Sequence, residues 1–130
     1  MYTKQETFEI SCLGVIAQDH PGWDDERELC SYAFGCAVAQ LLPREIWSSL
    51  PSSACTTHND IAGPLRKAGH SVLFADELQA CHDRVVGTFA VQGRDAWRRD
   101  WLNEVRLLAK DEGLDFRPVE AAARATGWEV

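Results

Sequence analysis

The chain has 130 residues, of which 45% are apolar and 25% are charged, and its formal net charge is −7 at pH 7. These values are typical of a globular protein and exclude an intrinsically disordered one. No apolar run approaches the roughly 20 residues needed to cross a bilayer, and the first residues lack the pattern of a secretory signal. We therefore predict a single globular domain over residues 1–130, located in the cytoplasm and without membrane contact.

The negative charge is concentrated in the first half of the chain. Residues 1–60 carry nine acidic and three basic residues, whereas residues 61–130 carry eleven and ten. Five acidic residues fall within the ten positions of residues 19–28, DHPGWDDERE. Such a surface repels nucleic-acid phosphates and attracts basic groups. We expect a protein partner with a basic surface and no direct binding of nucleic acid.

In chain order, residues 7–17 alternate apolar and polar side chains before becoming continuously apolar, which favours a strand. The alternative is a helix capped by Thr3, because Glu6 stands three residues later, at the spacing of a capping box. A turn containing Pro21 and Gly22 follows in either case.

The most apolar stretch is residues 29–42, LCSYAFGCAVAQLL, with eleven apolar residues in fourteen. These residues fall on every side of a helix, and a helix that is apolar all round is a buried one. We predict a buried central helix over about residues 24–42. The acidic residues near its start suit the positive end of the helix dipole, and Pro43 ends it.

Two further strands are predicted over residues 70–75, HSVLFA, and 84–92, RVVGTFAVQ, which are rich in valine and aromatic residues. A long amphipathic helix is predicted over about residues 95–110. Its apolar residues recur every three or four positions, at Trp97, Trp101, Val105 and Leu108.

A last helix is predicted to begin at Pro118 and to end at Gly127. The predicted fold class is α+β: a helix-dominated domain with a buried central helix, a long amphipathic helix and a small sheet of two or three short strands.

The acidic cluster is the leading candidate binding site. Trp23 stands within it, and tryptophan beside charge is a common composition of protein interfaces. The competing interpretation is that the acids cap the central helix and Trp23 packs against its start. Five acids in ten residues exceed what a cap requires. The candidate binding residues are Asp19, Trp23, Asp24, Asp25, Glu26 and Glu28.

A catalytic alternative starts from Cys30 on the predicted central helix, His70 at the start of a strand and Asp83 beyond it. This order of elements resembles that of papain-like cysteine peptidases and amidases. The resemblance implies a hydrolase in which His70 deprotonates the Cys30 thiol and Asp83 orients the imidazole. The acidic residues beside Cys30 would raise its thiol pKa, whereas a nucleophile needs a lowered one, so we prefer a non-catalytic protein.

Four side chains could serve as zinc ligands: Cys55, His58, Cys81 and His82. Adjacent residues such as Cys81 and His82 rarely reach one ion, particularly on a strand, where they face opposite sides. We predict no metal and no cofactor, with the five cysteines acting as small apolar residues in a reducing compartment.

These observations predict a small acidic binding protein without a catalytic site, an inhibitor or adaptor that occupies a basic surface of its partner. Its acidic half would imitate nucleic-acid phosphates, as in inhibitors encoded by phages or mobile elements. Immunity proteins that block toxins have a similar composition. The cysteine hydrolase is the alternative, and the sequence leaves the oligomeric state open, a homodimer included.

Overall fold

The computed structural model describes residues 1–24, 26–52 and 54–130, and it describes Leu29 and Cys30 by their backbone alone. Most of these residues belong to five α-helices. They are α1 (Lys4–Gln18), α2 (Asn59–Ala68), α3 (Val72–Gln92), α4 (Arg94–Glu112) and α5 (Arg117–Ala125). The prediction of a helix-dominated protein is confirmed. No described helix is both long and apolar enough to cross a membrane.

The strand preferred for residues 7–17 is wrong, because these residues lie in α1. The capping box is present: the Thr3 hydroxyl accepts the Glu6 N–H at 3.1 Å, and the Glu6 carboxylate accepts the Thr3 N–H at 2.9 Å. The buried side chains recur at helical spacing. They are Thr7, Phe8, Ser11, Cys12, Val15 and Ile16. In so apolar a segment the alternation of a few side chains was a weaker signal than the cap.

The strands predicted over residues 70–75 and 84–92 are also wrong. Ser71 caps α3, its hydroxyl accepting the Phe74 N–H at 3.3 Å, and the helix then continues through both segments to residue 92. Its buried positions follow the helical period. They are Phe74, Ala75, Leu78, Cys81, His82, Val85 and Val86. The valine-rich composition favoured strands, but the 3.6-residue period of the buried side chains extends without a break across the whole segment.

The predicted small sheet is not found. Among the described residues, β structure consists of two residues paired with two: β1 (Trp23–Asp24) lies antiparallel to β2 (Leu29–Cys30). This short ladder closes the turn that contains Glu26 and Glu28.

The predicted buried central helix over about residues 24–42 is wrong, although most side chains of its second half are buried. Beyond β2 the chain forms short 3-10 helices, Tyr32–Phe34 and Ala39–Leu41, and a third, Arg44–Ser49, follows Pro43. Gly35 ends the first with φ +85°, a left-handed conformation that favours glycine. The buried residues of the segment include Cys36, Ala37, Val38, Ala39, Leu41 and Leu42.

This buried irregular backbone is stable because side chains from neighbouring helices take its hydrogen bonds. Ser11 donates to the Ala37 carbonyl at 2.8 Å, and the Gln79 side-chain oxygen accepts the Val38 N–H at 3.1 Å. Gln18 donates to the Gly35 carbonyl at 2.8 Å. The segment is therefore enclosed between α1 and α3.

The long amphipathic helix and the last helix are confirmed, as α4 and α5. Gly93 joins α3 to α4 with φ 92°, and the two helices pack against each other along their length. Gly113 ends α4 in a left-handed conformation. Beyond α5, Trp128 packs edge-on against Trp97 with ring centroids 5.4 Å apart.

Candidate functional site

Asp24, Glu26 and Glu28 of the acidic cluster lie in or next to the turn between β1 and β2. The Asp24 carboxylate is nearly buried and accepts the N–H groups of Glu26 at 3.0 Å and Arg27 at 3.3 Å, so it shapes the turn. Glu26 and Glu28 are exposed and take part in no described ion pair. Asp25, also predicted as a binding residue, lies outside the described residues.

Asp19 has a different role from its neighbours in sequence. It ends α1 with φ 60°, and its carboxylate accepts from the Arg98 guanidinium of α4, with Nε and Oδ1 2.8 Å apart. Both side chains are about three-quarters buried. Asp19 therefore ties α1 to α4 and presents little of its charge to a partner.

Trp23 and Glu26 line an open cavity of about 550 Å³, which we call the outer cavity. Its wall also contains Phe34, which is 45% exposed, and the half-buried Leu50. The remaining lining residues are Asp24, Arg27, Ser31, Ala33, Ser48 and Ser52. Aromatic side chains and carboxylates thus share one exposed surface.

A second open cavity of about 240 Å³, the inner cavity, lies next to the first, because Ser31 and Ser52 line both. One wall is a single face of α3, which contributes Asp76, Gln79 and Asp83. The remaining lining residues are Tyr32, Cys36, Ala54, Cys55 and Thr56. We call the joined lining of the two cavities the acidic face; its described residues include four carboxylates and one basic residue, Arg27.

Asp83 is held in place by its neighbours on α3. Its Oδ1 accepts from the Gln79 amide at 3.0 Å and lies 3.2 Å from Nδ1 of the buried His82. The His82 Nε2 accepts the Gly22 N–H at 3.2 Å, which assigns the proton of the neutral ring to Nδ1 and makes it a donor to Asp83. One Asp83 oxygen is thus engaged, and Oδ2 makes no described hydrogen bond.

The opposite wall of the inner cavity carries hydroxyl and thiol groups. The Tyr32 hydroxyl donates to the Ala54 carbonyl at 2.7 Å, and burial raises its pKa. The Thr56 hydroxyl is buried beside the Tyr32 hydroxyl, and their interaction lowers the pKa of that phenol against the larger effect of burial. At the rim, hydrogen bonds from the Thr57 hydroxyl and the His58 backbone lower the pKa of the exposed Cys55 thiol.

The structure does not assemble the predicted hydrolase site. His70 is buried, lies 2.7 Å from the Thr7 hydroxyl through Nδ1, and stacks on Tyr2 with ring centroids 4.4 Å apart. Burial lowers the pKa of His70. Asp83 lies twelve residues beyond the cap of α3, about 18 Å along the helix, so it cannot orient His70. The Cys30 side chain lies outside the described part of the chain.

The four candidate zinc ligands do not form one site, and each has a separate environment. His58 caps α2 and accepts the Asp60 N–H at 3.2 Å, while Cys55 is exposed at the rim of the inner cavity. Cys81 and His82 are buried on α3, where burial raises the pKa of Cys81 to about 11. Within residues 1–24, 26–52 and 54–130, no three His, Cys, Asp or Glu side chains are grouped so that they could hold a metal ion.

Among the residues of the acidic face that sequence reasoning did not predict as binding residues are Phe34, Asp76 and Asp83. Phe34 was placed inside a buried helix, and Asp76 was not predicted as a binding residue. Asp83 was considered only as a partner of His70. The seven-residue spacing of Asp76 and Asp83 would have placed both on one face had residues 72–92 been recognised as a helix.

The chain matches no protein-family model, and comparison with curated proteins and with solved structures returned no similar protein.

Proposed function

We propose that the protein is a small binding protein without a catalytic site, which acts as an inhibitor or adaptor by covering a basic surface of a partner protein. The acidic face supplies the contact. A partner surface that normally binds nucleic acid fits this proposal best, because such surfaces carry clustered lysine and arginine. The carboxylates would then occupy positions of phosphates, as phage-encoded and immunity-type inhibitors do.

The observation that carries the proposal is the continuity of the acidic face. Glu26 of the β1–β2 turn and Asp76 and Asp83 of α3 are distant in sequence but line adjoining cavities. Among the lining residues that the structure describes, their charge is opposed by Arg27 alone. A field of one sign over a concave surface attracts a partner of opposite charge and raises the association rate.

Aromatic groups beside this charge supply the apolar part of a contact. Trp23 is half-buried, and Phe34 is 45% exposed although it lies in a segment that is otherwise mostly buried. Aromatic residues in the centre of an interface contribute strongly to binding when charged residues surround them. Phe34 is therefore exposed enough to contact a partner. Packing in the protein core does not explain an exposed phenylalanine at this position.

The test is charge reversal at the exposed turn. The partner is first isolated from the native host, and its affinity is then measured for the native protein and for the Glu26→Lys/Glu28→Lys variant over a range of salt concentrations. We expect affinity at low salt to fall by about tenfold or more and its salt dependence to weaken, because reversing exposed charges acts mainly on long-range attraction.

The control is Asp111→Lys, which reverses one charge where the tested variant reverses two. Asp111 is exposed and lies on α4, outside the lining of both cavities. This variant changes charge at one site without altering the acidic face, and we expect native affinity. Equal affinity of the native protein and the Glu26→Lys/Glu28→Lys variant would reject the proposed function.

A further inference from the structure

We propose that His82 makes the acidic face sensitive to pH: when its ring is protonated, it releases the Gly22 amide, and the β1–β2 turn separates from α3. The partner then binds more weakly at acid pH. This inference rests on the proposed function and adds a means of regulating it.

His82 connects α3 to the segment that carries the acidic turn. Its side chain is fully buried, and Nε2 accepts the Gly22 N–H at 3.2 Å. Gly22 directly precedes β1, and its carbonyl accepts the N–H of Ser31, which follows β2, at 2.8 Å. The bond to Ser31 and the β1–β2 ladder both lie within this segment. The bond to His82 is the described hydrogen bond that attaches the segment to α3.

Protonation of His82 is incompatible with the bond to Gly22. In the neutral ring Nε2 is an acceptor, whereas both ring nitrogens of an imidazolium are donors. The Gly22 N–H and the new Nε2–H then face each other in the protein interior without an acceptor, an arrangement that destabilises a fold. Separation of the turn from α3 gives the Gly22 N–H access to water and removes the conflict.

Asp83 favours the protonated ring. Its Oδ1 lies 3.2 Å from Nδ1 of His82, and an adjacent carboxylate stabilises an imidazolium, which offsets the opposing effect of burial. The Gln79 side-chain nitrogen lies 3.4 Å from Nδ1, but it is itself a donor and donates to Asp83. A charged His82 therefore keeps its contact with Asp83 while it loses the contact with Gly22.

The neighbours of His82 on the other packed elements do not supply a competing change of charge. Cys81 on α3 and Tyr32 beside the inner cavity are neutral, because burial raises the pKa of both groups. From α4 the Trp101 ring packs edge-on, with ring centroids 6.3 Å apart, and carries no charge.

The segment between α1 and β1 contributes Asp19 and His20. Asp19 is already paired with Arg98 of α4, with Nε and Oδ1 2.8 Å apart. His20 lies 2.8 Å from the Pro21 carbonyl through Nδ1 and is the second histidine of this region, so its contribution requires a control.

Separation of the turn from α3 divides the acidic face. Glu26 lies on the turn, whereas Asp76 and Asp83 lie on α3. The positive charge of His82 also compensates that of the Asp83 carboxylate. Both effects weaken the attraction of a basic partner.

The switch is tested without a partner, by NMR of the full-length protein between about pH 8 and about pH 5, where histidines titrate. We expect the Gly22 amide signal to move together with the His82 ring signals. Hydrogen exchange of this amide, corrected for the intrinsic effect of pH, should become about tenfold or more faster, because a hydrogen bond is lost. The Val105 amide of α4 should keep its protection.

Two results of this titration would overturn the inference. The first is a Gly22 amide that does not respond while His82 becomes protonated. The second is loss of protection at Val105 together with Gly22, which would indicate general unfolding.

Three substitutions identify the responsible group. His82→Gln can place a neutral oxygen near the position of Nε2 and should remove the response to pH. Asp83→Asn, at a side chain that is 58% exposed, should move the response to lower pH because the carboxylate is lost. His20→Gln is the matched control and should retain the native response. Loss of the response in His20→Gln, or its persistence in His82→Gln, would overturn the inference.

The isolated partner then tests the coupling to binding. Its affinity for the native protein should fall by about tenfold or more between about pH 7.5 and about pH 5.5. Its affinity for His82→Gln should fall less, because ionisation of the partner affects both proteins equally. Equal falls would overturn the inference, whereas the proposed function is judged separately, at constant pH, by the Glu26→Lys/Glu28→Lys variant.

Discussion

Asp19 shows that membership of an acidic cluster in sequence does not define a residue's role. The five acidic residues of positions 19–28 looked equivalent, yet Asp19 pairs with Arg98 of α4 while Glu26 and Glu28 are exposed. Arg98 also lies over the Trp128 ring, 5.4 Å from its centroid. One carboxylate of the cluster therefore stabilises the packing of α1, α4 and the carboxyl-terminal segment.

We predict that Asp19→Asn lowers the free energy of unfolding by about 1–2 kcal/mol, between the values typical of exposed and of buried ion pairs. Asparagine tolerates the left-handed conformation that Asp19 adopts, so the substitution removes the charge without adding backbone strain. Urea denaturation measures the change.

The control for Asp19→Asn is Arg99→Gln. The Arg99 side chain is 66% exposed and lies 3.5 Å from Asp100, so we expect a change below about 0.5 kcal/mol. If Asp19→Asn left the free energy of unfolding unchanged but weakened partner binding, Asp19 would instead belong to the interface.

The α3–α4 hairpin contains two glycines that differ in backbone conformation. Gly87 lies inside α3, whereas Gly93 joins the two helices with φ 92°. A Cβ atom added at either position would meet no other atom within 4 Å. The effect of an alanine substitution on stability therefore reports the backbone conformation at each position and not side-chain packing.

We predict opposite effects of the two substitutions on stability. Gly87→Ala should raise the free energy of unfolding by about 0.5–1 kcal/mol, because alanine loses less conformational entropy in a helix. Gly93→Ala should lower it by about 1–2 kcal/mol, because an L-residue is strained at that φ. Chemical denaturation of both variants checks the sign. Destabilisation by Gly87→Ala would mean that this helical position is constrained by something other than propensity.

At the scale of the whole molecule, the carboxyl-terminal segment completes the core. Trp128 is 3% exposed and packs against Trp97, which is fully buried on α4. α5 in turn packs on α1. The first and last helices are thereby joined, and the core includes residues from both ends of the chain.

We predict that Trp128→Ala destabilises the protein by about 3–5 kcal/mol, the usual effect of truncating a buried tryptophan. Because small domains are stable by only about 5–15 kcal/mol, the variant should show a large drop in Tm by circular dichroism. Val130→Ala, at a position that is 45% exposed, is the control and should leave Tm nearly unchanged. A native Tm for Trp128→Ala would show that Trp97 and α4 are packed without it.

Several features of this protein follow from the sequence alone because their signals are local. The capping box at Thr3 and Glu6, the spacing of Trp97, Trp101 and Val105, and the stop at Gly113 all depend on residues within a few turns of one another. In residues 7–17 a short alternation of side chains was preferred to the capping box, and in residues 84–92 the valine-rich composition predicted a strand although the buried side chains follow the helical period; both strands are wrong.

The tertiary structure alone determined the conformation of residues 29–42 and the site. Apolar composition predicts burial, which is correct for the apolar residues of 36–42, but it does not predict the conformation, which is not a helix here. Irregular backbone is stable there only because Ser11, Gln18 and Gln79 from distant helices satisfy its hydrogen bonds. The same enclosure leaves Phe34 exposed and places the β1–β2 turn beside Asp76 and Asp83. Sequence determined that the protein is acidic and helical; long-range packing determined which of its acids share a surface.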